Sequence, residues 1–183
     1  MLDRDALVAG LRELGGLLRA REVPATIRIV GGAALGLEYF DRGSTIDVDA
    51  AFRPSSEVEH AASIIAERRS WPVDWLNARV VAFLPVARDE WRELHRDGDV
   101  LIEIAGPSML LAMKLHAGRR GRDDQDIAAL MSILGISNLA EAEQLYESFY
   151  PGEALRDRSI RIVEAIDAAG LPEPPAPLPP ITW

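Results

Sequence analysis

The stretch from Ile27 to Phe52 constrains the fold more than any other part of the chain. It places a β-branched run before Gly31-Gly32, helix-forming residues directly after the glycines, and a second strand-like run over 44–52. Glycine gives the backbone the freedom that a sharp turn between a strand and a helix requires. The pattern therefore predicts a strand, a diglycine turn, a helix, a loop and a second strand, in that order.

Two features of this stretch indicate chemistry. The diglycine turn leaves the backbone N–H groups of the following helix open to an anion. Asp47 and Asp49 lie two residues apart on the second predicted strand, so both carboxylates project from the same face. A phosphate-binding turn beside a carboxylate pair predicts a divalent metal ion, nucleotide phosphates, and phosphoryl or nucleotidyl transfer.

Apolar spacing and capping residues predict the elements around this stretch. Leucines at helical spacing indicate a helix over 3–20, and Ser56 with Glu59 forms a capping box for a helix that ends near Arg69. β-branched runs predict two further strands, and the segment between them lacks such a run. The predicted strands are 79–84 and 99–104. The segment 89–98 between them is predicted to be a turn or a short helix.

From Pro107 onward the spacing of apolar residues is helical. Four helices are predicted: from Pro107 to near Gly118, from about 127 to Gly135, from Asn138 with Glu141 to Phe149, and a last one closed by Gly170. The proline-rich tail predicts extended chain with a disordered end at Trp183, and docking of Trp183 on the protein itself or on a partner is the alternative. The fold class is therefore α/β (α+β), with a mixed sheet flanked by helices. The predicted regions are a core over 1–105, a helical region over 106–170 and the tail over 171–183.

Composition limits the partners that the chain can bind. A net charge of -9 argues against a protein that coats nucleic acid through bulk electrostatics, so any such contact must be local. The one dense basic patch consists of Arg119, Arg120 and Arg122 with His116. The absence of cysteine excludes disulfides, thiolate zinc sites and a cysteine nucleophile. No signal peptide and no apolar run of membrane-spanning length is present, which predicts a cytoplasmic protein.

The motifs resemble those of a known family when they are taken in order. A diglycine is followed fifteen residues later by the Asp47-x-Asp49 pair, with Arg42, Ser44 and Thr45 just before the acids. This arrangement resembles the minimal nucleotidyltransferase superfamily, which is related to DNA polymerase β. The run LLAMKLHAGRRGRDDQDIAALM resembles the helical signature of its AbiEii-type abortive-infection toxin branch. In that signature a lysine begins a K-L-x-A-x-x-x-R run, and Arg/Lys-Asp-x-x-Asp opens the next helix.

The resemblance implies roles for particular residues. Asp47 and Asp49 would hold Mg²⁺ or Mn²⁺ against a nucleoside triphosphate and act in catalysis. A third carboxylate is expected. Glu103 is the first candidate, because a charged residue in an apolar strand indicates a specific role, and Asp74 is the alternative. The remaining implied residues are Lys114 and Asp126 as catalytic, and Gly31, Gly32, Arg42, Ser44, Thr45, Lys114, Arg122 and Asp123 as nucleotide-binding.

The implied activity is metal-dependent transfer of a nucleoside monophosphate to an RNA such as tRNA, or to a protein hydroxyl, as in the toxin of a toxin–antitoxin pair with an antitoxin partner. Two alternatives remain open. The chain could bind nucleotide or a partner protein without catalysis, or it could be an interaction protein that uses its helical half and proline tail. Non-functional interpretations also exist: Asp47 and Asp49 as protective acids of an edge strand, Glu103 as a paired buried acid rather than a base, and Lys114 as a lysine that reaches from an apolar surface to water.

Overall fold

The computed structural model describes residues 1–119 and 121–183, so Arg120 of the predicted basic patch lies outside the described residues. Within them the fold is α+β, with a five-stranded mixed sheet and helices before, between and after the strands. The chain divides into two compact units. The sheet unit comprises Met1–Ala82, Trp91–Ala105 and Pro177–Trp183, and the helical unit comprises Phe83–Glu90 and Gly106–Ala176.

The elements up to the end of the sheet follow the predicted order around the diglycine. They are α1 (Arg4–Ala20), β1 (Ala25–Ile29), α2 (Gly31–Ala34) continuing into a π-helical turn (Leu35–Tyr39), β2 (Val48–Arg53), α3 (Ser55–Arg69), β3 (Leu76–Asn77), a 3₁₀ helix (Arg79–Phe83), β4 (Trp91–Asp97) and β5 (Val100–Ala105). The strands lie in the order β3-β2-β1-β5-β4. β1 pairs antiparallel with β2 and parallel with β5, whereas β4 pairs antiparallel with β5.

One face of the sheet is the core of this unit. Alternate residues of β1, β2 and β5, such as Ile27, Phe52 and Ile102, are buried, and α1 and α3 pack against the strands and against each other. Burial of the α1 leucines explains the helical spacing seen in the sequence. The intervening residues point to the opposite face and remain partly exposed, among them Arg28 and Asp49. The second face of the sheet therefore carries charged side chains that are accessible to a ligand.

The helical unit contains the four predicted helices. They are α4 (Pro107–Ala117), α5 (Asp124–Leu134), α6 (Leu139–Phe149) and α7 (Asp157–Ala169). Gly118 and Gly135 end their helices in the left-handed conformation, and the Asn138 side chain accepts a hydrogen bond from the Glu141 backbone N–H. These cap predictions are confirmed. None of the helices in the described residues combines the length and apolar character that crossing a bilayer requires.

Three local predictions are wrong. Ser56 does not cap α3, because Pro54 occupies the N-cap position and the Ser56 hydroxyl instead contacts the Glu57 carboxylate at 2.6 Å. The segment 79–84 contains a 3₁₀ helix rather than a strand, since its β-branched residues are largely exposed and pair with no strand among the described residues. The segment 89–98 holds strand β4 rather than a turn or helix, because it pairs with β5.

The prediction of a disordered C-terminal end is also wrong, and the alternative, docking of Trp183 on the protein itself, is the one that the structure has. The last residues pack on the sheet unit: the Arg4 guanidinium donates to the Pro179 carbonyl at 2.7 Å, and Arg12 donates to the Thr182 carbonyl. The Trp183 ring stacks on the His95 ring with 4.3 Å between centroids. Proline-rich chain needs no internal hydrogen bonds, so its carbonyls are available to outside donors.

Candidate functional site

The diglycine turn lies directly against Asp49. Gly31 adopts a left-handed backbone with φ of +66°, which favours glycine over other residues. The Val30 backbone N–H donates to the Asp49 carbonyl at 3.0 Å. A Cβ added at Gly31 would lie 3.4 Å from the Asp49 Oδ2 atom. The end of β1 and the start of β2 therefore bring the turn and this carboxylate together.

The second glycine lies against the basic and hydroxyl residues that precede the acids. A Cβ at Gly32 would lie 2.7 Å from Arg42 Nη1 and 3.4 Å from the Thr45 hydroxyl oxygen. A side chain at this position would therefore displace the Arg42 guanidinium. The neighbouring Ser44 hydroxyl is directed elsewhere, with its oxygen 3.5 Å from the Met1 sulfur. Within the sheet unit the structure thus brings together Gly31, Gly32, Arg42, Thr45 and Asp49.

Asp47 lies just before β2 and is held by neighbouring side chains. The Asn77 amide donates to Asp47 Oδ2 at 3.0 Å, and the Thr45 hydroxyl donates to the Asp47 carbonyl at 3.1 Å. Arg79 Nη1 lies 3.8 Å from the same carboxylate oxygen, and Arg79 also pairs with Asp74. The alternative third acid, Asp74, therefore connects to Asp47 through an arginine, which reduces the repulsion between the two carboxylates.

Glu103 has a different partner. Its Oε2 accepts a hydrogen bond from Arg28 Nε at 2.7 Å, and the Arg28 guanidinium also lies over the Trp91 ring, 5.1 Å from its centroid. β1 lies between the strand of Glu103 and β2. Within residues 1–119 and 121–183, no three histidine, aspartate or glutamate side chains group closely enough to hold a metal ion. The structure thus does not bring Glu103 to Asp47 and Asp49.

In the helical unit, Lys114 pairs with both acids of the second motif. Its ammonium donates to Asp123 Oδ1 and to Asp126 Oδ2, each at 2.7 Å. The Lys114 side chain is only 6% exposed and that of Asp123 is 0% exposed. Lys114 is also the only lysine in the sequence, among nineteen arginines. A buried cation is therefore shared by Asp123 and Asp126.

Arg119 completes this network. Its Nε donates to Asp123 Oδ2 at 3.0 Å. Burial raises the pKa of the Asp123 carboxyl, but hydrogen bonds from Arg119 and Lys114, together with their charges, outweigh burial and hold that pKa below its usual range. The predicted nucleotide-binding residue Arg122 is exposed, and its backbone N–H donates to the Arg119 carbonyl. The network consists of Lys114, Arg119, Asp123 and Asp126.

Sequence reasoning missed three residues that contact the predicted acids: Arg28, Asn77 and Arg79. For Arg28 a signal existed, since it is the one charged residue in the apolar run ATIRI, as Glu103 is in VLIEI. Two opposite charges at central positions of buried strands favour a cross-strand pair. Asn77 and Arg79 follow no pattern of this kind, because the two-residue strand β3 that holds Asn77 and the 3₁₀ helix that begins at Arg79 are too short for a hydrophobic repeat.

Comparison with known proteins adds no relative: no protein-family model matches the chain, and neither a curated protein nor a solved structure was found to be similar.

The backbone at the turn allows a test of the geometry. We expect Gly31→Ala to lower the free energy of unfolding by about 1–2 kcal/mol, because alanine is strained in the left-handed region. The control is Gly16→Ala, at an exposed position of α1 where an added Cβ meets no atom within 4 Å. It should stabilise the protein by about 0.5–1 kcal/mol. Urea unfolding of both variants measures the difference, and the same sign for both would contradict the described turn.

Proposed function

We propose that the chain is a metal-dependent nucleotidyltransferase whose donor site is the diglycine turn with Arg42, Thr45, Asp47 and Asp49. The observation that carries this proposal is the meeting of opposite charges at the turn, where the Asp49 carboxylate borders Gly31 and the Arg42 guanidinium borders Gly32. A cation beside backbone N–H groups suits phosphate oxygens. A carboxylate at the same place suits a divalent cation that accompanies such phosphates.

The donor set fits Mg²⁺. Asp49 and Asp47 supply hard oxygen ligands from neighbouring positions, and Asp47 keeps one oxygen beyond the Oδ2 that Asn77 contacts. Mg²⁺ in proteins is commonly held by one or two carboxylates, with waters and substrate phosphates completing the shell. Mn²⁺ accepts the same oxygen ligands. A metal ion held there would neutralise phosphate charge and polarise the phosphoryl group that is transferred.

The side chains of the chain itself bind and orient the donor in this proposal. The Arg42 guanidinium and the open backbone of Gly31-Gly32 take the terminal phosphates, and Thr45 fixes Asp47 through its carbonyl. An acceptor hydroxyl then attacks the α-phosphorus, the bond to the β-phosphate breaks, pyrophosphate leaves, and the hydroxyl proton passes to water. For Lys114 and Asp126, the 2.7 Å contact within the helical unit supports the role that the resemblance implies, in which Asp126 orients Lys114.

A second candidate function is nucleotide binding without turnover. One observation favours it: Glu103, the first candidate for the third acid, forms a 2.7 Å ion pair with Arg28. A carboxylate that is committed to a guanidinium is a poor base for an acceptor hydroxyl, because the cation stabilises its charged form. Such a protein would bind a nucleoside triphosphate and release it unchanged.

Label transfer distinguishes the two functions. We expect wild-type protein with Mg²⁺ and one of the four α-labelled nucleoside triphosphates to place label on RNA or protein, when total tRNA and cell extract serve as acceptors. EDTA should abolish the label, because without a metal ion the two negative carboxylates repel the phosphates instead of holding them. Nucleotide binding by calorimetry without any label would favour the second function. Absence of both binding and label would exclude both.

A further inference from the structure

Arg28 is an arginine held from two sides on the partly exposed face of the sheet. Glu103 contacts its Nε at 2.7 Å from β5, and Trp91 of β4 lies beneath its guanidinium at 5.1 Å. The Arg28 side chain is nevertheless 41% exposed, whereas that of Glu103 is 16% exposed. A guanidinium fixed in this way loses little further freedom when it binds an anion. Neither the carboxylate nor the ring consumes all of its donors.

The strand register places Arg28 beside Asp49. Arg28 pairs with Ala51 across the antiparallel β1–β2 ladder, so Asp49, two residues from Ala51, is its diagonal neighbour on the same face. Diagonal neighbours are about 7–8 Å apart, which long side chains can span. Arg28 can therefore contact a ligand that also contacts Asp49.

The strand register also shows on which side of Asp49 the Arg28 side chain lies. Val30 is the position level with Asp49, so along β1 Arg28 lies on one side of Asp49 and Gly31 lies on the other. In phosphoryl transfer the attacking and leaving oxygens are roughly in line on opposite sides of the phosphorus. If the leaving pyrophosphate occupies the turn, the attacking hydroxyl approaches from the side of Arg28.

We infer that Arg28 binds a phosphate of the acceptor, and that the acceptor is therefore an RNA strand rather than a protein hydroxyl. This inference rests on the proposed function. Glu103 is then a positioning residue: its 2.7 Å contact with Nε holds the Arg28 guanidinium over the Trp91 ring. The chain has a net charge of -9, so its overall charge repels RNA. A cation in a fixed position such as Arg28 allows an acidic protein to bind an RNA phosphate locally.

The experiment measures RNA binding and nucleotide binding separately. A short fluorescein-labelled RNA of mixed sequence is titrated with the full chain across a salt series, without metal or nucleotide, and calorimetry follows nucleoside triphosphate binding with Mg²⁺. We expect Arg28→Gln to weaken RNA binding about 10-fold or more. It should also lower the slope of log affinity against log salt by about 0.7. The nucleotide dissociation constant should stay unchanged.

The control is Arg96→Gln, which removes an exposed arginine of β4 that pairs with Glu93 at 2.8 Å. It should leave both dissociation constants close to those of the wild type. Because Arg28→Gln leaves Glu103 without its cation, the double variant Arg28→Gln/Glu103→Gln keeps the test valid if the single variant unfolds. It should bind RNA as weakly as the single variant.

Glu103→Gln distinguishes positioning from catalysis. Where label transfer is measurable, this variant should raise KM for RNA and leave kcat within about 10-fold, whereas loss of a general base lowers kcat by roughly 100- to 10,000-fold. A collapse of kcat at constant KM would overturn the positioning role. The Arg28 inference is overturned if wild-type protein does not bind the RNA, if Arg28→Gln resembles Arg96→Gln, or if it weakens nucleotide binding instead. These outcomes need no transfer, so they are independent of failure of the proposed function.

Discussion

We expect Lys114→Met to lower the free energy of unfolding by about 3–5 kcal/mol, because it removes the cation that Asp123 and Asp126 share in the interior of the helical unit. Methionine retains the length and apolar stem of lysine, so little packing is lost. What remains is two buried carboxylates without the cation that they share. Asp123 keeps its contact with Arg119 in this variant.

The control for this variant is Arg19→Met, which breaks an ion pair with Asp97 at nearly the same distance, 2.8 Å. That pair is solvent-exposed, with side-chain exposures of 67% and 30%. Exposed pairs contribute roughly 0–1 kcal/mol, so this variant should unfold close to the wild type in urea. Lys114→Met/Asp126→Asn should recover part of the lost stability, because it also removes one of the two buried negative charges. Equal effects of Lys114→Met and Arg19→Met would contradict a buried network.

Chemical modification of Lys114 measures the burial of the same contact directly. Since Lys114 is the only lysine, an amine-acylating reagent can modify this side chain and the N-terminal amine. Met1 is 93% exposed and should react at once, whereas Lys114, at 6%, should react only when the helical unit opens. Mass spectrometry of the peptide that contains Lys114 gives the rate. Urea should accelerate acylation of Lys114 but leave the rate at Met1 nearly unchanged.

The parts of the fold that follow from local chemistry could be predicted from the sequence. The diglycine turn was predictable because Gly31 occupies a backbone conformation that suits glycine, and because the flanking runs differ in period. The helix ends at Gly118, Gly135 and Asn138 were predictable for the same kind of reason, since each cap involves neighbours only a few residues away. Lys114 and its acids also lie within one short stretch, which made their motif visible.

Strand β4 could not be predicted from local sequence patterns. Its residues, WRELHRD, are mostly polar, and they are a strand because they pair with β5 across a tight turn at Gly98. The β-branched residues of 79–83 have the propensity for a strand but pair with none among the described residues, and propensity alone does not hold a strand together. Recognising β4 required knowing its partner.

The same limit applies to the site. Arg28 meets Glu103 because β1 lies beside β5, although 75 residues separate the two side chains in the chain. The strand order is set by packing of the whole sheet, and no local pattern specifies it. Types of residue could therefore be assigned from the sequence, but the pairs that they form could not.

For the donor site we expect Asp49→Asn to reduce label transfer by at least about 1,000-fold, as for the loss of an essential catalytic carboxylate. Asparagine has nearly the same shape as aspartate and keeps one oxygen, but it lacks the negative charge that a divalent cation needs. The backbone contact from Val30 to the carbonyl of residue 49 is independent of this side chain, so the turn should persist. Asp5→Asn, at an exposed position of α1, makes the same charge change and should transfer label at the wild-type rate.

The effect of Asp49→Asn on nucleotide binding should differ with and without metal. In EDTA the Asp49 carboxylate repels the triphosphate from the turn that it borders, so removing its charge should leave the dissociation constant unchanged or lower it. With Mg²⁺ the same change removes a ligand, so the improvement in affinity that Mg²⁺ gives the wild type should largely disappear. Calorimetry in the two conditions measures this difference. A role limited to folding would weaken binding equally in both, and a variant that kept full magnesium dependence would show that Asp49 is not a metal ligand.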